Sequence, residues 1–170
     1  LYNQMNIIVA MCKNRGMGFK NTIPWHLSSD LQRFKYLTTS FENKNNVIMG
    51  RKTWDSLPNK YKPLPKRKNI IISSKKDIIK QENVIVYNDI NLIKNHYTEI
   101  NKNTWIIGGT QIYNYALEND LVNSILVTVI DNEFECDVFF PKIPSKFQLK
   151  YESPYKLENN IIYKYQQWVK

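Results

Sequence analysis

Residues 23–34 read IPWHLSSDLQRF, and this stretch predicts the start of an amphipathic helix. Pro24 interrupts the segment before it, so we expect the helix to begin near Ser28 or Ser29. Ser29 is followed three residues later by Gln32, which is the spacing of a capping box. The stretch therefore predicts a loop that enters a helix at a defined point.

Asp30 falls on the apolar stripe of that helix. The stripe consists of residues at i, i+4 and i+7, namely Leu27, Leu31 and Phe34. Burying an unpaired carboxylate costs several kcal/mol, so Asp30 on this face requires a polar partner. The alternative is that Asp30 faces water in the first helical turn, where the helix dipole favours an acid. Other parts of the sequence are needed to choose between a partnered and a solvent-facing Asp30.

The composition predicts one soluble globular domain over residues 1–170. Hydrophobic residues make up 42% and charged residues 23% of the chain, which is ordinary for such a domain. No apolar run reaches the ~20 residues of a membrane span, and residues 7–12 lack the basic flank of a signal peptide. Cys12 and Cys136 are too few for a disulfide framework and lack metal-ligand spacing. We expect a reducing, cytoplasmic setting and no metal.

Short apolar runs separated by helical segments predict a mostly parallel α/β sheet. Continuous apolar runs are typical of parallel strands covered on both faces. The runs are residues 7–11, 47–49, 69–72, 84–86, 104–107 and 124–130. From Phe134 onward, alternating stretches separated by turn residues are typical of antiparallel strands. We therefore expect a parallel sheet with an antiparallel C-terminal edge.

The segments between the strands carry further predictions. Ala10 puts a small side chain at the end of the first strand, and the polar residues 13–22 are expected to form a flexible loop. Later in the chain, Asp89 is expected to cap a helix whose apolar residues are Ile90, Ile93 and Tyr97.

Three predicted strands end in residues typical of phosphate sites. These ends are Gly50-Arg51-Lys52-Thr53, Ser73-Ser74-Lys75-Lys76 and Gly108-Gly109-Thr110-Gln111. The carboxyl ends of parallel strands lie along one crevice, so one polyphosphate cofactor across them explains all three. The first end lacks the glycine spacing of a P-loop, and the third lacks the standard dinucleotide fingerprint. The net charge of +9 also allows a nucleic-acid stripe, but that requires aromatic residues alternating with the cations.

Arg67 differs from the lysines around it. Most cations of the loop over residues 60–68 are expected to be solvated. Arg67 stands beside the start of a predicted strand, where its guanidinium could pair in a two-pronged manner with a carboxylate.

In their order and spacing these motifs resemble the dihydrofolate reductase family over nearly the whole chain. The resemblance is carried by residues 8–10, Gly18, residues 23–25, Asp30, Leu31, Phe34, residues 47–54, residues 63–74, residues 107–109, Tyr113 and Thr128. It implies a three-layer α/β fold with a central, mostly parallel eight-stranded sheet, an antiparallel C-terminal edge and about four flanking helices. It also implies a cis peptide between Gly108 and Gly109.

The resemblance implies reduction of 7,8-dihydrofolate by NADPH, and it assigns the site residues. The implied catalytic residues are Asp30, Thr128, Trp25 and Tyr113. The implied substrate-binding residues are Ile8, Val9, Asp30, Leu31, Phe34, Ser56, Leu57, Leu64, Arg67, Ile107 and Thr128. The implied cofactor-binding residues are Ala10, Gly18, Asn21, Ile23, Gly50, Arg51, Lys52, Thr53, Ser73, Ser74, Lys75, Ile107, Gly108, Gly109, Thr110, Gln111, Ile112 and Tyr113.

In this family pattern Asp30 and Thr128 hold the pteridine ring, and the apolar surroundings of Asp30 should raise its pKa. Arg67 binds the α-carboxylate of the glutamate tail, and Arg51 binds the 2′-phosphate of the cofactor. Hydride goes to C6 and a water carries the proton to N5, while the loop over residues 13–23 closes on the nicotinamide.

Other interpretations remain open at this point. A reductase of another pteridine or of a flavin precursor has the same fold, but only a substrate with a glutamate tail needs Arg67. A basic nucleic-acid-binding domain is the alternative from another class. The resemblance also allows two arrangements of the natural protein, a free-standing monomer or a fusion to thymidylate synthase.

Overall fold

The computed structural model describes residues 5–39, 45–75, 79–95 and 103–170. The strands are β1 Met5–Cys12, β2 Gly16–Gly18, β3 Asn46–Gly50, β4 Lys68–Ile72, β5 Val84–Tyr87, β6 Thr104–Gly108, β7 Val122–Ile130, β8 Val138–Phe139, β9 Gln148–Glu152, β10 Lys156–Glu158 and β11 Ile161–Val169. The helices in these ranges are α1 Ser28–Thr38, α2 Arg51–Ser56, α3 Asn91–Asn95 and α4 Thr110–Glu118, with a 3₁₀ turn over Asn59–Tyr61.

The central sheet has the predicted mixed topology. Its order is β10-β11-β7-β1-β6-β3-β4-β5, and β9 also pairs with β11. The strands from β5 across to β7 pair in parallel, whereas β11 pairs antiparallel with β7 and with both edge strands, β9 and β10. The predicted eight-stranded sheet is therefore confirmed as eight positions across, with β9 and β10 sharing the last one. A separate two-stranded sheet joins β2 to β8.

The sheet is covered on both faces, as the continuous apolar runs predict. Along β3, Ile48 belongs to one buried cluster with Ile112 of α4, whereas Val47 and Met49 belong to another with Trp54 of α2. Successive side chains of a strand point to opposite faces, so an unbroken apolar strand needs helices on both sides. Helix α2 follows β3 and helix α4 follows β6, so both helices begin at the carboxyl ends of their strands.

Three local predictions need correction. β1 does not end at Ala10 but continues to Cys12, because it pairs with β7 as far as Ile130. The predicted loop over residues 13–22 contains the short strand β2, which β8 completes.

The third correction concerns the start of α1. The helix begins at Ser28 as predicted, but its N-cap residue is Leu27, which makes no side-chain cap hydrogen bond. Instead Glu158, in β10, accepts the backbone N–H groups of Ser28 and Ser29 and the hydroxyl of Ser29. The prediction of a capping box between Ser29 and Gln32 is therefore wrong, because Glu158, which is distant in sequence, accepts the N–H groups at the start of α1.

Asp89 does cap the helix that follows it, since its carboxylate accepts the backbone N–H of Asn91 at 2.9 Å. Ile93 of that helix is fully buried. Tyr97 and Lys76 lie outside the described residues. None of the helices in the described ranges is long and apolar enough to cross a membrane.

Candidate active site

Asp30 and Thr128 meet at the carboxyl ends of β1 and β7. Thr128 stands directly beside Ala10 in the parallel register of these strands. Asp30 lies in the first turn of α1, and its Oδ1 accepts the hydroxyl of Thr128 at 2.6 Å. The polar partner that the sequence demanded for Asp30 is therefore present within the protein, and it engages one carboxylate oxygen.

Burial raises the pKa of Asp30 above its ordinary value of 3.8. The hydrogen bond from Thr128 and the charge of Arg33 act in the opposite direction, while the charge of Glu158 adds to the rise. The alternative of a fully solvated acid is excluded, because Asp30 is half-buried and accepts the hydroxyl of Thr128. Such an acid is suited to bind a cationic or hydrogen-bonding ring.

This pKa predicts that Asp30→Asn raises the free energy of unfolding at neutral pH. The folded state holds the proton of Asp30 more tightly than the unfolded chain does, so ionising the buried acid lowers stability as the pH rises above 3.8. The gain in the variant should fade at acid pH, where wild-type Asp30 is protonated in both states. Urea unfolding at neutral and acid pH measures this difference.

Glu152→Gln provides a contrast of opposite sign. The side chain of Gln166, and then that of Lys164, lower the pKa of the exposed Glu152. This substitution should therefore decrease stability at neutral pH, and the loss should disappear at acid pH. If Asp30→Asn instead lowered stability equally at both pH values, the raised pKa of Asp30 would be contradicted.

Arg67 is buried at the amino end of β4 and is held by internal hydrogen bonds. Its Nη1 donates to the hydroxyl of Thr38 at 2.9 Å, and its Nε donates to the carbonyl of Pro65 at 2.9 Å. Its guanidinium carbon lies 5.7 Å from the ring centroid of Phe34. None of the described residues pairs a carboxylate with Arg67. Burial lowers its pKa to about 10, so the guanidinium remains charged at neutral pH and is fixed in orientation.

The apolar residues that the resemblance assigns to the substrate differ in exposure. Ile8, Val9 and Leu64 are buried, with 6–8% of their surface exposed, whereas Leu31 is 54% exposed. Phe34, Leu57 and Ile107 are half-buried against the cluster around Trp54.

A cleft of about 410 Å³ opens between the loop after β2 and helix α2. Its lining includes Asn21 and Lys52, which the resemblance assigns to the cofactor, and Ser56, which it assigns to the substrate. The fourth lining residue is Asp55. Ile23, at the end of the same loop, is 61% exposed. The loop is tied to the segment before β8, because the carboxylate of Asp137 accepts the N–H of Lys20 and the N–H of Asp137 donates to the carbonyl of Gly18.

The three strand ends with phosphate-type residues are neighbours. Gly50 of β3 is paired with Ile72, next to Ser73, and Met49 is paired with Gly108 of β6. Ser73 is buried, and its hydroxyl accepts the N–H of Lys75 at 3.2 Å. The three strand ends that the sequence places at one edge of the sheet are therefore adjacent.

The turn from β6 into α4 requires glycine at position 108 because of its backbone conformation. The peptide between Gly108 and Gly109 is cis, as the resemblance implies, and Gly108 has a φ of +125°, which L side chains rarely adopt. A Cβ at Gly108 would lie 3.4 Å from the hydroxyls of Thr53 and Tyr113. That distance is ordinary van der Waals contact, so the positive φ of Gly108, and not a lack of space, is what requires glycine.

Two residues assigned to catalysis, Tyr113 and Trp25, have buried side chains. The hydroxyl of Tyr113 is fully buried and donates to the carbonyl of Ile8 at 3.1 Å, and burial raises its pKa, so it stays neutral. Trp25 is 9% exposed and packs against Phe134 with ring centroids 5.5 Å apart. At the cofactor turn, Thr110 donates to the carbonyl of Phe139, while Gln111 is exposed and Ile112 is buried.

Sequence reasoning missed several residues of this site. Thr38 orients Arg67, Asp137 fastens the cofactor loop, and Asp55 forms an ion pair with Arg51 at 2.9 Å. The i, i+4 spacing of Arg51 and Asp55 was a usable signal. The other two contacts join segments distant in sequence and left no local signal.

The fold and the cleft define an α/β enzyme that binds a phosphate-bearing cofactor across the carboxyl ends of parallel strands. The residues present fit NADPH, because the glycine turn after β6, the cations beside Gly50 and the hydroxyls after β4 stand at adjacent strand ends. Among the described residues, no group of three acidic, histidine or cysteine side chains is placed to hold a metal ion.

Comparison with known proteins gives the family. A family model described as "Dihydrofolate reductase" matches residues 4–170. The dihydrofolate reductase of Heliothis virescens is 35% identical, with 94% of each chain covered. That of Candida albicans is also 35% identical, over 96% of this chain and 95% of its own. The bifunctional dihydrofolate reductase-thymidylate synthase of Paramecium tetraurelia is 39% identical over 95% of this chain, which spans 33% of that protein.

The chain belongs to the dihydrofolate reductase family. It is an oxidoreductase whose cofactor is NADPH and whose substrate is dihydrofolate.

Proposed function

We propose that Asp30 binds the pteridine ring of dihydrofolate and aligns it for reduction. The observation that carries this assignment is the 2.6 Å hydrogen bond from Thr128, which fixes Oδ1 of a largely desolvated carboxylate. The other oxygen is then oriented toward N3 and the 2-amino group of the ring. A hydrogen-bonded acid of this kind recognises an amidine-like edge by paired, charge-assisted bonds.

NADPH, when bound, supplies the hydride that reaches C6 of the pteridine. The chain's own residues bind, orient and exclude water. Asp30 polarises the ring through N3, and a water carries the proton to N5. Loop residues Gly18 to Ile23 close over the nicotinamide side of the cleft, with Asp137 as their anchor. The half-buried side chains of Phe34, Leu57 and Ile107 keep the ring in an apolar slot.

Arg67 is proposed to bind the α-carboxylate of the glutamate tail. Its Nε and Nη1 are fixed by Pro65 and Thr38, so its guanidinium plane is set before the substrate arrives. A preoriented, permanently charged fork loses little freedom on binding a carboxylate. This assignment separates a folate reductase from a reductase of a smaller pteridine or a flavin precursor, whose substrates lack that tail.

Arg51 is proposed to bind the 2′-phosphate of NADPH, with Lys52, Ser74 and Lys75 on the phosphates nearby. Arg51 follows Gly50 at the carboxyl end of β3, and its Nε is oriented by Asp55. Arg51→Gln should weaken NADPH by roughly 10- to 100-fold, the loss of one charge-assisted hydrogen bond of about 1.5–3 kcal/mol, and should hardly change NADH. Dissociation constants for both cofactors, measured by fluorescence titration, test this.

Lys60→Gln is the matched control for Arg51. It removes the same charge from an exposed position in the 3₁₀ turn. It should leave the ratio of the NADPH and NADH affinities unchanged. Equal losses of both cofactors in Arg51→Gln would refute the 2′-phosphate assignment.

We further propose that residues 1–170 form one reductase domain that acts in the cytoplasm. Free thiols of Cys12 and Cys136 with sulfurs 4.0 Å apart are compatible with a reducing compartment. Both a monomeric reductase and a fusion to thymidylate synthase are compatible with the relatives. An antibody against the 20.2 kDa domain, used on cell fractions, distinguishes these arrangements by polypeptide size and tests the location.

A further inference from the structure

Arg33 lies beside the Asp30 site and has no role in the assignments above. It follows Asp30 by three residues in α1, and so shares its side of the helix. Its guanidinium carbon lies 4.1 Å from the ring centroid of Tyr165 in β11. Tyr165 is paired directly opposite Thr128 in β7, and Thr128 donates to Asp30. Arg33, Thr128 and Tyr165 thus stand around the Asp30 carboxylate, on α1, β7 and β11.

The influence of Arg33 on Asp30 is electrostatic and does not depend on a direct bond. The structure shows no ion pair between the two side chains, and the hydrogen bond of Asp30 comes from Thr128. Nη1 of Arg33 is buried and has no hydrogen-bond partner in the described ranges. The guanidinium is therefore positioned by the aromatic ring of Tyr165 rather than by a carboxylate that would neutralise it.

The charges around Asp30 oppose one another. Arg33, on the same helix, lowers the pKa of Asp30, whereas Glu158 of β10 raises it. Tyr165 carries no charge at neutral pH, because burial and then the charge of Asp30 raise its pKa to about 12. Strand β7 contributes the uncharged hydroxyl of Thr128.

Two further titratable groups contact the ring of Tyr165. Tyr163 of β11 stacks edge-on at 5.7 Å, and the ammonium of Lys156 in β10 lies 5.9 Å from the ring centroid of Tyr165. The cation that acts on Asp30 itself is Arg33.

We propose that Arg33 is a positioning residue of the reductase site, which is held on the ring of Tyr165 and keeps Asp30 ionised so that it can receive the pteridine. The proposal rests on the role given above to Asp30. Without a nearby cation, a desolvated carboxylate takes up a proton and loses the charge-assisted bonds to the ring. Arg33 supplies this cation without occupying the oxygen that the substrate needs.

The test is a ¹³C NMR titration of the Asp30 carboxyl in the enzyme without substrate, with the signal assigned by its absence in Asp30→Asn. In Arg33→Met the titration midpoint should move to higher pH. Arg33→Lys keeps the charge and should remain near wild type. Lys35→Met is the matched control, since it removes a cation from the same helix at an exposed position. Its midpoint should coincide with that of wild type.

The pH profile of kcat/KM for dihydrofolate gives a second readout. The part of the profile that reflects ionisation of Asp30 should move to higher pH in Arg33→Met. The same substitution should leave the pH profile unchanged when Asp30 is replaced by Asn. Arg33→Gln serves as a second neutral variant if Arg33→Met does not fold. An unchanged midpoint in the neutral variants, or an equal shift in Arg33→Lys, would overturn the proposal.

The titration needs no turnover, so the two claims fail separately. If the chain reduced no dihydrofolate but the midpoint moved as expected, the proposed function would fail, while the effect of Arg33 on Asp30 would stand. If reduction proceeded and the midpoint stayed fixed, only the role of Arg33 would be lost.

Discussion

Asp30→Asn is expected to reduce turnover by about 10²–10⁴-fold at neutral pH, the range of a positioned acid-base group. The amide still accepts the hydrogen bond of Thr128, so the local geometry should persist. It cannot carry the negative charge that polarises the pteridine. At low pH the substrate is protonated in solution, and the difference from wild type should narrow. Steady-state kcat and kcat/KM across the pH range measure both effects.

Asp120→Asn is the matched control, with the same change of group. Asp120 lies just before β7, at the amino end of that strand, where it pairs with Lys146 and Lys170. The cleft lies at the opposite, carboxyl ends of the strands, so this variant should keep wild-type turnover. A constant ratio between Asp30→Asn and wild type at every pH would contradict the role of Asp30.

Arg67→Leu is expected to raise KM for dihydrofolate by at least ~30-fold, since truncating one partner of a buried charge pair costs about 2–5 kcal/mol. The glutamate tail is remote from C6 and N5, so kcat should change little. Arg67→Lys should recover part of the loss, because an ammonium restores the charge but not the two-pronged geometry. Initial rates over a range of dihydrofolate concentrations give both constants.

A substrate without the tail separates binding from folding in this variant. Arg67 is buried and bonded to Thr38, so its removal also affects stability. A reduced pterin that lacks the glutamate should be processed equally by Arg67→Leu and wild type. Lys68→Leu, an exposed neighbour, should behave as wild type with either substrate. An unchanged KM for dihydrofolate in Arg67→Leu would remove the proposed carboxylate site.

The sequence predicted the parts of the site that depend on short-range patterns. An acid on an apolar stripe indicated that Asp30 needs a partner, and three buried strands ending in glycines, hydroxyls and cations indicated one crevice. Both features follow from the periodicity of helices and strands and from the geometry of parallel sheets. The structure confirms the hydrogen-bonded acid and the adjacent strand ends.

The predictions that failed depended on contacts between distant segments. Ser29 has a plausible local partner in Gln32, yet the carboxylate of Glu158 reaches the start of α1 from β10. The carboxylate role predicted for Arg67 stays a prediction, and its bonds to Thr38 and Pro65 had no signal in the sequence. Tyr165 carried no signal at all, because only the register of β11 with β7 places it beside Thr128. Pairings of this kind are set by tertiary packing and leave no periodic trace.

The most direct measurement is NADPH oxidation by the purified chain with and without dihydrofolate, repeated with NADH and with methotrexate. We expect rapid oxidation that requires dihydrofolate, is faster with NADPH than with NADH, and is blocked by methotrexate. A folded chain that binds NADPH but does not oxidise it in the presence of dihydrofolate would contradict the account, and the substrate assignments of Asp30 and Arg67 would fail with it.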